Sequence, residues 1–347
     1  MIPMTLKNIK RPLSPVKVAY VSLILCLFLL LAMAFSLLLG TAEVSPDQLW
    51  RLFTGDPEVE KSVSLIIFKI RLPRIILAAI VGFSLSLGGL VFQAMLRNPL
   101  ADPFILGVSS GSAFGAVIGI VIGFGYNLGI PVMSFSGALL TIYLILTAGR
   151  RKMGMESSTI LLTGVIINAF FTAIIMFFIA TAADDRLHSM LFWLYGDLSQ
   201  SNYRESVIVA PVMIASFVIL YGFSKHLNLI AAGEEAAVQL GVDVERAKSI
   251  CFIIVSLMVG LVVSLSGLIG FVGLIIPHLG RMAFGSDHRL LMPVSALGGA
   301  AFLVVADSLA RTIISPGELP VGVITAFIGA PFFIYLLKTR GSKWTRS

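Results

Sequence analysis

Long apolar segments recur along the whole chain, and they constrain its fold more than any other feature. A helix needs about 20 residues to cross the hydrocarbon core of a bilayer. In lipid each segment must satisfy its own backbone groups, and no segment alternates as a barrel strand does, so all are predicted to be helices. Ten such spans are predicted, at residues 17–40, 62–96, 105–123, 129–150, 157–181, 205–224, 246–267, 272–284, 288–312 and 321–338.

The composition agrees with a protein that lives in the membrane. Hydrophobic residues make up 57% of the 347 residues and charged residues 12%, whereas a soluble domain carries about 25% charged residues. Cys26 and Cys251 lie in apolar segments, without the spacing of a disulfide framework or a metal site. We therefore predict an all-α integral membrane protein with a single domain over 1–347. The eighth span is short enough to be a half-span or a re-entrant helix.

Basic residues predict the orientation. The N-terminus is basic and leads into a long apolar run without a small-residue cleavage site, which favours a retained signal-anchor. With a cytoplasmic tail over 1–16, about 17 of the 25 Lys and Arg residues fall on the cytoplasmic side, as the positive-inside rule expects. Both termini are then cytoplasmic. The net charge of +7 is explained by topology and lipid headgroup contact, and no nucleic-acid partner is expected.

Residues 225–245 are polar where their surroundings are apolar. They include a Glu-Ala-Ala string at 235–237 followed by Gly241. This pattern predicts a short helix with acidic residues in its first turn and a glycine stop. A small helix on a loop at a membrane face is suited to dock into a groove of another protein. A plain linker helix is the alternative.

Ionisable residues inside the spans are scarce. Asp307 is well inside a span, and Arg311 follows one turn later, where an Asp–Arg pair would neutralise both charges. This scarcity argues against an ion-coupled secondary transporter, the main rival class, and no charged ring suggests a channel. His278 follows Pro277, and a structural role is favoured over a metal-ligand role. Small residues Gly82, Ser86 and Gly89 indicate close helix packing.

Enzyme and motor functions are not indicated. The sequence has no G-x-x-x-x-G-K-[ST] phosphate loop, so an ATP-driven process would need a separate motor subunit. It also shows no HExxH pair and no set of residues typical of nucleophilic catalysis. No catalytic residue, metal site or cofactor is therefore assigned to this chain.

Five motifs give a specific resemblance from about residue 65 to residue 338. In order and spacing they resemble the permease family of iron-siderophore, haem and vitamin B12 ABC importers. The resemblance implies a type II ABC importer permease fold in the bacterial inner membrane. It also implies a homodimer, two ATPase subunits that bind ATP and Mg²⁺, and an external substrate-binding protein. The motifs are RLPR at 71–74, RNPLADP at 97–103, LGVSSG at 106–111, GFVGLIIPH at 270–278 and ELPVG at 318–322.

The resemblance also implies four functional sites. The first three are an ATPase-coupling loop, an outer basic set that receives acidic residues of the binding protein, and a cytoplasmic gate. The fourth is a wall of the translocation path. The residues of the ATPase-coupling loop are Glu234, Glu235, Ala236, Ala237, Leu240 and Gly241, and those of the outer basic set are Arg71, Arg74 and Arg311. The residues of the cytoplasmic gate are Asn98, Leu100, Ser157 and Ser158, and those of the wall of the translocation path are Thr163, Gly164, Asn168 and Phe171.

The outer basic set and the gate also have simpler interpretations, and the substrate is open. The arginines would also suit contacts with lipid headgroups, and either serine at the start of the fifth span would suit a helix N-cap. Family frequency ranks a ferric siderophore first, vitamin B12 second and haem third as the transported chelate. No residue identifies it.

Overall fold

The computed structural model describes residues 13–56, 61–104, 106–126, 128–149 and 157–344, and within these ranges all regular structure is helical. Most of the predicted tail 1–16 lies outside the described residues. The helices are α1 (Pro15–Leu38), α2 (Pro46–Thr54), α3 (Lys61–Leu65), α4 (Leu72–Met95), α5 (Val108–Ile122), α6 (Gly129–Gly149), α7 (Ser157–Thr181), α8 (Asp184–Leu194), α9 (Tyr203–Gly222), α10 (Ser224–Ala232), α11 (Glu234–Gln239), α12 (Val244–Ser266), α13 (Val272–Phe284), α14 (His288–Ala310) and α15 (Val321–Trp344).

Each of the ten predicted spans corresponds to a helix. Seven helical segments are long and apolar enough to cross a membrane, and three shorter apolar helices account for the other spans. The second span is composite, because α3 continues through a π-helical segment, Ile66–Arg71, directly into α4. Pro73, which has no N–H to donate, lies just after this π-helical segment. The all-α membrane fold is thereby confirmed.

Helices α4 and α14 form the centre of the bundle. In each, 78% of the apolar span is buried, against 17–28% for α1, α7 and α9. Glycines allow the close approach: a Cβ atom at Gly82 would lie 2.2 Å from the carbonyl oxygen of Gly299 in α14. At Gly89 it would lie 2.1 Å from the carbonyl oxygen of Gly273 in α13. The predicted close packing at Gly82 and Gly89 is confirmed.

Helix α13 is a half-span. Its 13 residues rise about 20 Å, less than the hydrocarbon thickness of about 30 Å. It is separated from α12 by a non-helical turn in which Gly267 and Phe271 have positive φ angles. The turn is covered by the segment after α8, where the Asp197 N–H donates to the Ser266 carbonyl at 2.9 Å. Irregular backbone at this depth is thus buried in protein and hydrogen-bonded, as lipid requires.

The bundle has two distinct ends. One end carries the start of α4, the end of α1 and the end of α14; we call it the arginine end, because Arg71, Arg74 and Arg311 lie there. The other carries the end of α4, α10, α11 and the α13–α14 turn, and we call it the α11 end. Along α4, Arg74 and Arg97 are separated by about 35 Å. The two ends therefore lie on opposite sides of a bilayer.

Candidate functional site

Helix α11 has the form predicted for a docking helix. It runs for six residues from Glu234, and Gly241 follows in the left-handed conformation with φ of 84°. The Gly241 N–H donates to the Val238 carbonyl at 2.9 Å, and the Val242 N–H donates to the Ala237 carbonyl at 3.0 Å. The predicted glycine stop is confirmed, because only a residue tolerant of positive φ closes the helix this way.

The structure changes which residues of this loop are available to a partner. Ala237 is fully buried in a cluster with Ile230 and Val244, and a Glu234 carboxylate oxygen lies 2.6 Å from Lys248 Nζ on α12. These two residues fix α11 to its own chain, so the expectation that Ala237 enters a partner is wrong. Val238 and Leu240 are 60% and 67% exposed, and Glu235 and Ala236 are also exposed.

Val238 was missed by the sequence analysis. The sequence feature that indicates Val238 is an apolar residue next to Glu-Ala-Ala within an otherwise polar segment. The exposed residues of α11 and its C-cap are thus Glu235, Ala236, Val238, Gln239 and Leu240. Two large apolar side chains standing free on a polar loop are typical of a surface that another protein covers.

The three predicted docking arginines do meet at one end of the bundle, but they are buried. Arg71, Arg74 and Arg311 are only 3–4% exposed. Arg74 donates through Nε to Asp307 Oδ1 at 2.9 Å and through Nη1 to Glu318 Oε2 at 2.6 Å. Arg311 Nε lies 3.1 Å from Asp307 Oδ2, which confirms the predicted i,i+4 pair.

Other donors of this arginine cluster bind backbone carbonyls at and just after the end of α1, and Arg311 Nη2 donates to Ser36 Oγ at 2.7 Å. Arg71 Nη1 donates to the Leu37 carbonyl at 2.6 Å and Nη2 to the Ala42 carbonyl, and Arg311 Nη1 donates to the Leu39 carbonyl at 3.2 Å. The last carbonyls of a helix lack intrahelical partners, so the arginines cap α1. The prediction that these three arginines form an exposed basic patch is therefore wrong, because all three are buried. Three guanidinium groups face two carboxylates, and only Glu318 is substantially exposed.

The RNPLADP segment turns back against α4 at the α11 end. The Asn98 side chain accepts a hydrogen bond from the Leu100 N–H at 3.0 Å, which forms a local turn, and Leu100 is exposed. Asp102 is buried and accepts from the Phe104 N–H at 2.8 Å. Burial raises the pKa of Asp102 to about 6. Of the four predicted gate residues, Leu100 and Ser158 are exposed and Asn98 is half-buried.

Helix α7 begins at the predicted residue, Ser157, but its predicted wall is only partly exposed. Phe171 is 2% exposed and stacks on Phe114 of α5 with ring centroids 4.8 Å apart. A Cβ atom at Gly164 would lie 2.9 Å from the Leu106 Cα atom. Both residues pack against α5 and its preceding loop, so their assignment to an open wall is wrong. Thr163 and Asn168 are half-buried.

The exposed face of α7 is apolar instead. It displays large side chains that no other described helix covers, namely Leu162, Val165, Ile166, Phe170, Met176 and Phe177. A face of this kind meets lipid or a second protein copy. In the described part of the chain no group of three or more His, Cys, Asp and Glu residues is placed to hold a metal ion. His278 packs near the Phe332 and Phe333 rings, at centroid distances of 6.1 and 6.3 Å.

Comparison with known proteins places this arrangement in a family. The model of the FecCD transport family matches residues 27–339. The chain is 42% identical over 282 residues to a cobalamin import system permease protein of Halobacterium salinarum, covering 81% of this chain and 76% of the relative. It is 36% identical over 322 residues to a hemin transport system permease protein of Yersinia pestis, covering 90% and 93%.

A third relative and a solved structure extend the match over nearly the whole chain. An Fe(3+)-citrate import system permease protein of Bacillus subtilis is 35% identical over 341 residues, covering 98% of this chain and 99% of the relative. A metal-chelate type ABC transporter solved in an inward-facing conformation superposes with a TM-score of 0.82 at 32% identity, covering 92% of this chain and 99% of that chain. This protein, a helical membrane permease, belongs to the FecCD transport family.

Proposed function

We propose that this chain is the permease subunit of a binding-protein-dependent ABC importer that moves a metal chelate across the bacterial inner membrane. A separate ATPase supplies the energy, and this chain has no ATP site of its own. The observation that carries the proposal is α11, a short helix pinned by Ala237 and Glu234 that offers Val238 and Leu240 to a partner. Family membership and the inward-facing relative support it.

The two ends of the bundle receive opposite roles under this proposal. The α11 end faces the cytoplasm and binds the ATPase, and both chain termini lie on that side. The arginine end faces outward and binds the substrate-binding protein. Within the arginine cluster, Arg74 is the residue best placed to meet an acidic group, because its partner Glu318 is 36% exposed and exchangeable. An acidic residue of the binding protein would replace Glu318 rather than find a free arginine.

The proposed cargo is a ferric siderophore, with vitamin B12 and then haem as the next candidates. Relatives named for cobalamin, hemin and Fe(3+)-citrate import support a metal chelate as the class. Two copies of the apolar α7 face, opposed across a dimer axis, would make a wide path with few strong contacts. A weakly binding wall suits a cargo handed over by another protein, because tight contacts would trap it.

A homodimer is supported by a second apolar surface. A groove of about 520 Å³ lies between the end of α8 and α15, lined by Leu194, Leu268, Val323, Phe327 and others. Phe327 is 74% exposed at its edge. The alternative of an ion-coupled carrier is weakened by Asp307, the buried acid in α14, because two arginines already occupy it.

The deciding experiment is uptake into proteoliposomes. The permease is reconstituted with its ATPase and binding protein, and ferric siderophore, cobalamin and haem are offered in turn with and without ATP. We expect uptake of one chelate that requires ATP and both partners. Uptake driven by a proton or sodium gradient in the absence of the ATPase would refute the importer and establish the carrier.

A further inference from the structure

A polar cavity of about 470 Å³ opens at the α11 end and belongs to none of the four sites described above. It is bounded by the end of α4, by α10, and by the turn between α13 and α14. Its lining residues are Gln93, Ala94, Arg97, Pro99, Asn228, Ala231, Ala232, Arg281, Ser286 and His288.

The charge of this cavity is positive and uncompensated. Arg97 and Arg281 line it, no Asp or Glu does, and among the described residues neither guanidinium pairs with a carboxylate. Arg281 Nη2 donates to Gln93 Oε1, and Gln93 Nε2 donates to the Gly273 carbonyl at 2.9 Å. Gln93 therefore holds the Arg281 guanidinium in a fixed position.

Asp287, in the turn between α13 and α14 that bounds the cavity, is already occupied. It accepts from Arg289 Nη2 at 2.5 Å and from the Asn228 amide at 2.9 Å. These bonds, led by the one from Arg289, lower the pKa of Asp287 to about 2. Within the part of the chain that the structure describes, neither cavity arginine thus forms an ion pair with a carboxylate.

Arg97 occupies a backbone conformation that disfavours a side chain. Helix α4 ends with the Asn98 N–H donating to the Gln93 carbonyl at 3.1 Å, and Arg97 has φ of 50°. This left-handed position after a helix is normally glycine, because a Cβ atom is unfavourable there. An arginine at such a position costs stability, and its guanidinium lines the cavity.

The cavity adjoins the docking helix and lies away from lipid. Ala231 and Ala232 line it, and only Gly233 separates them from α11. The α4 and α14 ends that bound it belong to the two most buried long helices of the bundle, whereas α1, α7 and α9 are the least buried. A protein covering the exposed face of α11 would also cover the mouth of this cavity.

We propose that this cavity receives the carboxylate of an acidic side chain from the ATPase subunit, as a second anchor beside α11. The proposal rests on the function proposed above. Guanidinium groups present planar pairs of N–H donors that match a carboxylate, and such charged hydrogen bonds are about twice as strong as neutral ones. Once the ATPase covers the mouth of the cavity, the ion pair is buried and salt screens it less.

The test measures how tightly the purified ATPase binds the full-length permease in lipid nanodiscs. Arg97→Gly removes the guanidinium and relieves the left-handed backbone, so folding is preserved while affinity falls at least about tenfold. Ser286→Glu supplies a competing carboxylate at the cavity edge and lowers affinity similarly, whereas Ser286→Gln does not. Lys225→Gln, which removes an exposed cation on α10 outside the cavity, leaves affinity within about twofold.

A double-mutant cycle identifies the residue that occupies the cavity. Acidic residues on the permease-facing surface of the ATPase are changed singly to Ala, and one of these changes should lose its effect in the Arg97→Gly background. Unchanged affinity for Arg97→Gly overturns the proposal, as does a loss that no ATPase residue shares. A loss seen only in nanodiscs containing phosphatidylglycerol, and absent in phosphatidylcholine alone, makes a lipid headgroup the occupant and also overturns it.

The same experiment separates this inference from the function on which it rests. If Val238→Asp on α11 weakens ATPase binding while Arg97→Gly does not, the importer assignment stands and the anion cavity fails. If wild-type permease binds no ATPase, the importer assignment itself fails.

Discussion

Removing the Asp307 carboxylate should be among the most destabilising single changes at the arginine end. Asp307 is fully buried, with Arg74 Nε and Nη2 at 2.9 Å and Arg311 Nε at 3.1 Å. In Asp307→Ala the buried guanidinium of Arg311 would lose its carboxylate partner, and Arg74 would keep only the half-exposed Glu318. Breaking a buried ion pair by deleting one partner costs about 3–5 kcal/mol, a large part of a typical total stability of about 5–15 kcal/mol.

The assay is unfolding of the purified chain in mixed micelles with increasing SDS, followed by tryptophan fluorescence. Glu318→Gln is the control, because it removes only the half-exposed partner of Arg74 and should cost under about 1 kcal/mol. Asp307→Leu combined with Arg74→Met should recover part of the loss, since apolar residues of similar volume can replace a buried pair. If Asp307→Ala unfolds within about 1 kcal/mol of wild type, the arginine cluster does not hold this end together.

Three further predictions test other parts of the structure. Gly89→Ala places a Cβ 2.1 Å from the Gly273 carbonyl and should lower the unfolding free energy by about 1–3 kcal/mol or more, whereas Gly222→Ala, with open space around it, should not destabilise; equal effects would contradict the packing argument. Val238→Asp should abolish co-purification of the ATPase while leaving the melting temperature of the permease unchanged; normal co-purification would remove α11 as the docking element. The pKa of Asp102 is raised to about 6 in the folded protein, so folding favours its neutral carboxyl. This adds about 3 kcal/mol to the unfolding free energy, which is fully present below the ordinary pKa of 3.8 and is lost as pH rises through 6. Unfolding free energies at pH 4 and pH 8 should therefore differ less in Asp102→Asn than in wild type, and an identical difference would refute the assignment.

The sequence predicted what depends on local chemistry. The apolar runs located ten helices, the glycine at 241 located the end of α11, and helical spacing paired Asp307 with Arg311. Each of these features is decided within a few residues of chain. Helix length, φ at a glycine and an i,i+4 contact need no knowledge of the tertiary fold.

The sequence did not predict what depends on the neighbours of a residue. Phe171 was assigned to an open wall and is stacked on Phe114, while Phe170 beside it is exposed. In a membrane helix the faces toward lipid and toward protein are both apolar, so hydrophobicity cannot tell them apart. The sequence likewise predicts the arginines as surface charges. Nothing near RLPR in the sequence shows that Arg71 hydrogen-bonds the end of α1 or that Glu318 lies beside Arg74.

The caps of α1 have a consequence for how the protein is made. The Leu37 carbonyl accepts a hydrogen bond from Arg71, which follows 34 residues later in the chain. The Leu39 carbonyl accepts one from Arg311, which follows 272 residues later. At about 5–20 residues per second, the ribosome needs roughly 15–50 seconds to supply that second donor. For that time the newly inserted first helix stands in the bilayer with its C-terminal end incompletely hydrogen-bonded. Its docking onto α14, through contacts such as Ser36 with Ser308, is among the last steps of biogenesis, and a chain interrupted before the ninth span cannot complete it.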